Sequence, residues 1–326
     1  MATIIIESKI EFNKLVFWLW LGGVVQSVLA IVQFFVQSVW ANKWLGMASH
    51  SADQLGVAVL DFGGERFLRS YGSFGWPNAL GIYLSAIFLL GIVSICHFHR
   101  HSRENGNLEN KKDFRFHGND SLMLLIGQIV ILAGLFFTFA RGAWLAVILG
   151  IIILVVKNYK NKILWQQLFI YSLVGIILLF IFKPLVFSRV NFQNRLERKS
   201  VSERIEQWQD WKIVFSQNKF LGVGPGAYTY GLFFYKLDRS HDFQPIHNIY
   251  LLLVAEWGII GIGGLWLFIY YIHKRIDWLF TPLLSALFAG LFDHWTVSMF
   301  TGLLFLAILF ALAVKIKNID NADSKE

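Results

Sequence analysis

The stretch PIHNIYLLLVAEWGIIG, residues 245–261, places a histidine and an asparagine at the start of a long apolar run. His247 is a candidate base for a hydroxyl group, because a neutral imidazole accepts protons near neutral pH. On a regular helix, Gly258 and Gly261 would lie within about 40° of the direction of His247. Because glycine permits close approach, we expect a groove below the histidine that admits a neighbouring helix or a lipid chain.

His247 also has a purely structural interpretation. At the edge of an apolar run, an imidazole can bond to water at the membrane surface without taking part in chemistry. Glu256 would point to the opposite side of the same helix and requires a partner on another element. We expect Glu256 to be structural, and the interpretation of His247 depends on the groups that lie beside it.

The segment after residue 200 predicts a helix with an arginine on its apolar side. SVSE, residues 200–203, has the Ser-x-x-Glu spacing of a capping box, and the helical pattern ends near residue 217. Arg204 lies within about 60° of four apolar side chains on this helix. They are Val201, Trp208, Trp211 and Phe215. The guanidinium either snorkels to the membrane surface or points into a site that requires a cation, and periodicity leaves both open.

Two further arginines lie next to apolar runs. Arg141 follows LFFTFA and precedes GAWLAVILG, so it occupies a tight turn between two predicted spans. It is either a snorkelling anchor or an anion-binding group. Arg69 opens RSYGSFGWPNALGIYL, where Pro77 and Asn78 suit the start of a span. The glycines of this segment predict a structured turn, which favours a structural role for Arg69.

The elements that carry these residues are apolar helices. Of the 326 residues, 56% are apolar and 15% are charged, and apolar runs of about 20 residues recur along the chain. This pattern predicts an all-α, polytopic integral membrane protein with about eight transmembrane helices in a single membrane domain. The predicted spans are 15–40, 78–98, 120–140, 142–156, 163–182, 247–272, 278–293 and 295–314.

The distribution of Lys and Arg predicts the orientation of these spans. The short connections on one side carry 15 of these residues, against 4 on the other side. Because short cytoplasmic loops are rich in Lys and Arg, both termini are predicted to be cytoplasmic. The long segment 183–246 would then be a large extracytoplasmic loop with amphipathic helices. Four polar clusters, 69–78, 139–144, 183–247 and 293–295, are predicted to converge on the outer face.

The sequence lacks the motifs of several classes of function. There is no phosphate-binding Gly-Lys-Ser/Thr loop and no GxSxG elbow. DRSHD, residues 238–242, is the densest set of metal-ligand types on the outer face, and we interpret it as a polar loop tip. The single cysteine, Cys96, is assigned to packing. The net charge of +8 is spread over membrane edges and one loop, so we expect no nucleic acid partner, no cofactor and no metal.

The residues at the start of the sixth predicted span resemble a known family, the bacterial O-antigen ligase and polymerase superfamily of membrane glycosyltransferases. The ligase pattern His-[Asn/Ser/Gln]-x9-Gly-x2-[Gly/Thr/Tyr] is matched by His247, Asn248, Gly258 and Gly261. Three more segments are similar and follow the family order. They are RSYGSFGWPNALGIYL, FTFARGAWLAVILG and SERIEQWQDWKIVFSQNKFLGVGPGAY. The resemblance covers about residues 69–301.

The resemblance implies an activity and roles for individual residues. In this family a glycan moves from a polyprenyl (undecaprenyl) diphosphate carrier to an acceptor on the outer face of the bacterial cytoplasmic membrane. By position, Arg141 and Arg204 would hold the diphosphate and His247 would be catalytic. Asp293 matches an acidic residue that is sometimes implicated, with Arg69, Asn248, Gly258 and Gly261 as further supporting positions. The reaction that follows most simply is an inverting single displacement without a metal.

Other functions remain open at this stage. The same site suits glycan polymerisation, ligation to a lipid or glycosylation of a protein, and the sequence does not identify the sugar or the acceptor. A transporter of polysaccharide or lipid-linked sugar is the alternative outside the enzyme class, although no paired repeat supports it. One predicted span precedes Arg69, whereas family members usually have several. The chain is therefore expected to be a short variant or a fragment, and an inactive binding protein is a third alternative.

Overall fold

The computed structural model describes residues 12–104, 118–191, 194–235, 243–273 and 278–323. The described residues are mostly helical, which confirms the predicted helical class. They also form two short antiparallel strand pairs in the segment between the first two long helices, and the all-α prediction did not include these strands. The predicted loop tip DRSHD lies outside the described residues.

The chain divides into two compact units. The first comprises Met1–Val190, Trp278–Ala286 and Ile308–Glu326, and the second comprises Asn191–Asp277 and Leu287–Ala307. The elements up to residue 190 are α1 Phe12–Val36, β1 Ser38–Val39, β2 His50–Ser51, β3 Val59–Phe62, β4 Glu65–Leu68, α2 Pro77–Glu104, α3 Gly118–Phe137, α4 Arg141–Asn158, α5 Lys162–Ile181 and α6 Lys183–Val190.

The later elements include the helices that flank His247. They are α7 Arg195–Gln217, α8 Tyr228–Tyr235, α9 Ile249–His273, a 3-10 turn Trp278–Phe280, α10 Thr281–Ala289, α11 Trp295–Ser298 and α12 Phe300–Asp323. Three of the described helices, α6, α7 and α8, therefore lie in the segment 183–246, which was predicted to be a large extracytoplasmic loop with amphipathic helices.

Five of the described helices are long and apolar enough to cross a membrane. They are Phe12–Val36, Pro77–His97, Arg141–Asn158, Lys162–Ile181 and Ile249–Phe268. Each coincides with one of the eight predicted spans, which supports a multi-pass membrane protein. Shorter apolar helices cover Leu122–Phe137 and Phe300–Lys315. The predicted span 278–293 contains a 3-10 turn and a nine-residue helix, which reaches only about 14 Å. The total of eight spans and the orientation of the termini remain predictions.

An aromatic cluster forms the core of the first unit around the turn that precedes Arg141. Phe34 of α1, Leu60 of β3 and Leu185 of α6 pack with the phenylalanines of this turn, and all of them are buried. The rings of Phe34 and Phe137 stack with their centroids 4.4 Å apart. Because α1, β3 and α6 all pack against this turn, the turn holds the start of α4 in a fixed position.

The core of the second unit lies between α7, α8 and the start of α9. Its buried members are Val214, Tyr228, Leu232, Ile246, Leu252 and Ala255. Ile246 is 1% exposed and immediately precedes the candidate histidine. Burial of Ile246 therefore anchors the chain one residue before His247.

Helix α7 begins earlier than the capping pattern predicted. Its N-cap is Asn194, whose side chain accepts a hydrogen bond from the backbone N–H of Leu196. The predicted start at SVSE, residues 200–203, was wrong, because those residues lie inside the helix. The intervening Arg, Leu, Glu and Lys are strong helix formers, so they extend the helix back to the asparagine cap. The end of the helix at Gln217 agrees with the prediction.

Candidate active site

Asn248 starts α9 directly after the histidine. Its side-chain oxygen accepts hydrogen bonds from the backbone N–H groups of Tyr250 and Leu251, each 3.0 Å long. This is the geometry of an asparagine N-cap. Its amide nitrogen also donates to the carbonyl oxygen of Leu291 at 3.2 Å. Asn248 therefore fixes the helix start and ties it to the segment before α11, which orients the neighbouring histidine.

His247 is held by a glutamine that the sequence analysis did not select. The side-chain oxygen of Gln207 lies 3.2 Å from the backbone nitrogen of His247 and 2.9 Å from its Nδ1 atom. A backbone N–H is always a donor, so the Gln207 atom that faces it must be the oxygen. The same oxygen can only accept, and Nδ1 must therefore carry the proton. The neutral imidazole is held as the tautomer whose Nε2 atom is unprotonated and basic.

One face of α7 carries the residues that point toward the start of α9. Arg204, Gln207, Trp211 and Val214 follow one another at helical spacing and are buried or half-buried. The indole nitrogen of Trp211 donates to the carbonyl oxygen of Leu251 at 2.7 Å, which aligns the two helices. Arg204 thus lies three residues before Gln207 on the packed face.

The apolar stripe predicted around Arg204 was only partly correct. Trp211 and Phe215 are half-buried, but Val201 and Trp208 are exposed, and 52% of Trp208 is accessible. The reason is that α7 packs against α8 and the start of α9 through the side that carries Arg204 and Gln207. The arginine therefore has a half-buried position beside a polar residue, not a place at the centre of an apolar stripe.

A second histidine lies beside the first. The ring centroids of His247 and His294 are 5.1 Å apart, with the planes at 70°. The Nδ1 atom of His294 lies 2.5 Å from the hydroxyl oxygen of Ser298, and this hydroxyl also lies 2.9 Å from the carbonyl oxygen of His294. A hydroxyl has one proton, so donation to the carbonyl leaves Nδ1 of His294 as the donor to Ser298. The Nε2 atom of His294 is then also the basic nitrogen of its ring.

Asp293 immediately precedes His294 at the start of α11. Its side chain is 4% exposed, and one oxygen accepts a hydrogen bond from the backbone N–H of Trp295 at 2.9 Å. This contact places a carboxylate directly before His294, at the start of α11. The negative charge of Asp293 acts to raise the pKa of both histidines, against the larger effect of burial. The structure therefore places Asp293 close enough to act on the charge of His247, and a role in catalysis stays a prediction.

The surroundings of His247 favour its neutral form. Burial lowers its pKa below the ordinary value of 6.5, and the positive charge of Arg204 lowers it further, while Asp293 and Glu203 oppose this shift. Burial also lowers the pKa of His294, with Asp293 opposing and His247 contributing to the decrease. Both shifts therefore favour the neutral imidazole. A neutral imidazole is the form that accepts a proton.

Helix α9 does not continue regularly through its glycines. Gly258 has φ 61° and ψ −149°, which breaks the helix. A side chain at this position would collide with the carbonyl of Phe220 and would lie 2.6 Å from the nitrogen of Gly222. The expected groove for a lipid chain or a neighbouring helix was therefore wrong at Gly258, because the backbone of a loop fills it. At Gly261, a Cβ would lie 2.6 Å from the Cβ of Trp257.

The partners of Glu256 lie between the end of α7 and the first residue of α8, in the glycine-rich loop 218–228. The carboxylate is buried and accepts hydrogen bonds from the backbone N–H groups of Gly226 and Tyr228. Its own carbonyl accepts from the N–H of Gly224 at 2.9 Å. Glu256 thus has a partner on another element and a structural position, as predicted. It fixes the glycine-rich loop against α9.

In the first unit, Arg141 is the first residue of α4. Two residues earlier, Phe139 has a positive φ of 48°. The Nη1 atom of Arg141 donates to the carbonyl oxygen of Arg189 at 2.6 Å. Arg189 belongs to the last turn of α6, where carbonyl groups lack helical partners and a cation is favourable. Arg141 therefore stabilises the end of α6, and the guanidinium is half-buried.

Arg69 positions the turn that carries Arg141. It is buried, and its Nε and Nη2 atoms donate to the carbonyl of Thr138 and the side-chain oxygen of Asn78, both at 2.8 Å. The backbone N–H of Ser70 donates to the carbonyl oxygen of Phe137 at 3.1 Å. These contacts show that segment 69–78 is structured, as predicted, and that it contacts the turn before Arg141. Convergence of the four polar clusters on the outer face stays a prediction. They assign a positioning role to Arg69.

The sequence analysis identified some residues of the site and missed others. Asp293 was selected, but its neighbour His294 was not, although both belong to the polar cluster 293–295. Gln207 was missed because amides occur on many solvated helix faces. Its signal was the spacing of three from Arg204, which places both on one helix face. No cluster of three or more His, Cys, Asp and Glu side chains is placed to hold a metal among the residues that the structure describes.

A comparison with protein families gives an independent assignment. Residues 126–266 match the family described as O-Antigen ligase. This stretch, which is less than half of the chain, is similar to the O-antigen ligase superfamily. The match contains Arg141, Arg204 and the complete His247 motif, and it confirms the resemblance that the motifs indicated. No curated protein and no solved structure matches the chain. The O-antigen ligase match indicates glycosyl transfer of the ligase or polymerase type at a membrane.

Proposed function

We propose that this chain is a membrane glycosyltransferase that moves a glycan from a polyprenyl diphosphate carrier to an acceptor hydroxyl at the outer face of the cytoplasmic membrane. The observation that carries the proposal is the contact of the Gln207 side-chain oxygen with both the backbone nitrogen and the Nδ1 atom of His247. Gln207 holds the proton on Nδ1, so a basic Nε2 atom is available, and the positive charge of Arg204 acts on the same imidazole. A base beside a cation suits a reaction in which a hydroxyl is deprotonated and an anion leaves.

The proposed reaction is a single displacement. The acceptor hydroxyl transfers its proton to Nε2 of His247 while its oxygen forms a bond to the anomeric carbon of the donor sugar. The bond between that carbon and the diphosphate oxygen breaks, and the electron pair remains on the diphosphate. The carboxylate of Asp293 stabilises the imidazolium, since it favours the charged form of His247. Attack opposite the leaving group inverts the anomeric configuration.

Arginines are the groups proposed to hold the diphosphate. Guanidinium forks bind phosphate oxygens bidentately and stay charged throughout the reaction. Arg204 belongs to the second unit, with His247, and Arg141 belongs to the first unit. Both positions lie within the family match. Their joint action on one diphosphate is therefore a proposal that rests on the resemblance.

A direct test uses purified protein and a polyprenyl diphosphate-linked glycan. Release of free polyprenyl diphosphate is measured with a lipid acceptor, a growing polysaccharide and a peptide, each in turn. We expect release with one acceptor class, together with a product of inverted anomeric configuration. A transporter would instead move the intact donor across a vesicle membrane without release of diphosphate, and that result would contradict the proposal.

Replacement of Gln207 by glutamate is predicted to change the pH dependence of transfer. Protonated His247 cannot act as a base, so the rate falls as pH decreases through its pKa. A carboxylate next to Nδ1–H favours the imidazolium and raises this pKa, by about one unit for a close opposite charge. The acid limb of kcat/KM should therefore move to higher pH in Gln207→Glu.

The matched control is Gln209→Glu, which adds the same charge on the exposed face of the same helix. We expect this variant to retain the wild-type pH profile. If the acid limbs of the two variants coincide, Gln207 does not act on the histidine that limits the rate. Measurement of kcat/KM is appropriate because it reports the groups of the free enzyme.

Transfer is also predicted to proceed without a metal ion. The proposed charge stabilisation comes from guanidinium groups, and no step requires a bound cation. Activity should therefore be retained after dialysis against EDTA. Loss of activity that returns with Mg²⁺ or Mn²⁺ would show that a cation holds the diphosphate and would direct attention to the acidic residues of segment 238–242.

A further inference from the structure

Helix α9 changes character at Gly258. Before the break, Leu252 and Ala255 are buried in the core of the second unit. After the break, large apolar side chains are exposed on several sides of the helix, and Ile260, for example, is 60% accessible. The others are Ile259, Ile262, Trp266, Leu267, Phe268 and Tyr270. A helix that is apolar all round and exposed is expected to face lipid, so the part after Gly258 is the lipid-facing part of α9.

A short loop is attached at this transition. The tip loop, residues 219–222, connects α7 to the glycine-rich segment before α8. The N–H of Ile259 donates to the carbonyl of Lys219 at 2.8 Å, and the backbone of Phe220 and Gly222 abuts Gly258. The tip loop therefore lies at the level of the first lipid-facing residues of α9.

The side chains of the tip loop are apolar and exposed. Phe220 is 74% accessible and Leu221 is 72% accessible, although they adjoin a helix that presents isoleucines to its surroundings. Exposed apolar residues that continue an apolar surface mark an interaction site. The adjacent surface of α9 faces lipid, so we expect lipid to cover Phe220 and Leu221 as well.

The backbone of this region suits a place in lipid. Irregular backbone is tolerated at membrane depth only when its polar groups are bonded within the protein. The N–H groups of Gly222, Val223 and Gly224 donate to the carbonyls of Asn218, Ala255 and Glu256, over 2.8 to 3.0 Å. The break at Gly258 frees helical groups on α9, and the loop supplies their partners. The two irregular segments therefore satisfy each other.

We infer that the tip loop inserts into the outer leaflet of the bilayer and docks the second unit on lipid acyl chains. Phe220 and Leu221 enter the apolar region, and Lys219 extends its ammonium group toward lipid phosphates, as snorkelling lysines do. The residues from Ile249 to Gly258 span about 14 Å at the helical rise. His247 accordingly lies well outward of the inserted tip, at the level of a carrier's headgroup and first sugars and away from its prenyl tail.

Site-directed spin labelling tests this insertion without reference to activity. Cys96 is the single cysteine, so Cys96→Ser provides a background for labels at Phe220→Cys and Leu221→Cys. The labelled proteins are reconstituted in vesicles of phosphatidylethanolamine and phosphatidylglycerol. Collision of the nitroxide with oxygen, which concentrates in lipid, is compared with collision with a water-soluble nickel chelate.

The matched reference labels are Ile260→Cys for lipid and Gln209→Cys for water, because both positions are exposed in the second unit. We expect labels at Phe220 and Leu221 to resemble the one at Ile260, with oxygen collisions in large excess. Nickel collisions as frequent as at Gln209 would show that the tip is in water and would overturn the inference. Low collision rates with both reagents would also overturn it, because they would show that protein covers the tip.

Discussion

Replacement of His247 by alanine is expected to lower glycan transfer by about 10²- to 10⁴-fold, the range for loss of a positioned acid–base group. The physical reason is that the variant lacks the nitrogen atom that accepts the proton of the acceptor hydroxyl. Because the ring is half-buried at the edge of the second unit, the protein should remain folded and inserted in the membrane. The measurement is donor turnover by purified protein at matched concentration.

A second substitution separates chemistry from structure at this position. His247→Asn places an amide nitrogen near the position of Nδ1, so the hydrogen bond to the Gln207 oxygen can be retained. It supplies no group at the position of Nε2. If His247 is the base, the asparagine variant should be as inactive as the alanine variant. Restoration of near-normal transfer by asparagine would show that His247 only ties α7 to α9.

The spans were the most predictable feature because their signal is local. An apolar run of about 20 residues indicates a spanning helix without reference to the rest of the chain. Five of the eight predicted spans coincide with helices of sufficient length. The run 278–293 was misleading because apolar composition does not distinguish one long helix from a 3-10 turn and a nine-residue helix. Residue 299 likewise interrupts the run that includes α11 and α12, since its backbone is extended.

The role of Gly258 could not be obtained from spacing. The calculation that aligned it with His247 assumed a regular helix, whereas its φ of 61° breaks that helix. The cause is a loop 36 residues earlier, in which the backbone around Gly222 contacts α9. Periodicity shows which residues share a face, but it carries no information about a distant segment that changes the backbone.

The two histidines show the same limitation at the site. Sequence motifs identified His247, but the tautomer depends on Gln207, which lies 40 residues away. His294 lies 47 residues after His247 and was not selected, although its ring contacts that of His247. The sequence shows which chemical groups are present at each position. It does not show which of these groups come into contact, because that depends on how α7 and α11 pack beside the start of α9.

Replacement of Arg141 or Arg204 by lysine is expected to weaken transfer substantially, and replacement by alanine by about 10²-fold or more if charge stabilisation of the leaving group is the main effect. Lysine keeps the charge but loses the guanidinium fork that binds phosphate oxygens bidentately. If the arginines only snorkel, lysine should serve equally well, because both side chains reach the interface. Donor turnover is measured for all four variants at matched expression.

Controls are chosen from the same units. Arg198 is exposed on α7, and Arg198→Lys and Arg198→Ala should retain wild-type turnover. In the first unit, Arg66 donates to the carbonyl of Gln54 at 3.1 Å, a contact comparable to that of Arg141 with Arg189. Arg66→Ala therefore removes a similar hydrogen bond away from the proposed site and should also leave turnover unchanged.

The contact between Arg141 and the end of α6 requires one more measurement, because a purely structural role would also reduce activity. Loss of that contact should lower the thermal unfolding temperature of Arg141→Ala. In Arg141→Lys, the ammonium group can still donate to a helix-terminal carbonyl, so stability should be largely retained while turnover falls. Retained stability together with reduced turnover in Arg141→Lys would distinguish diphosphate binding from a purely structural role. Wild-type turnover in both lysine variants would leave Arg141 and Arg204 as anchors, and parallel losses of stability and turnover at Arg141 would assign it to the support of α6.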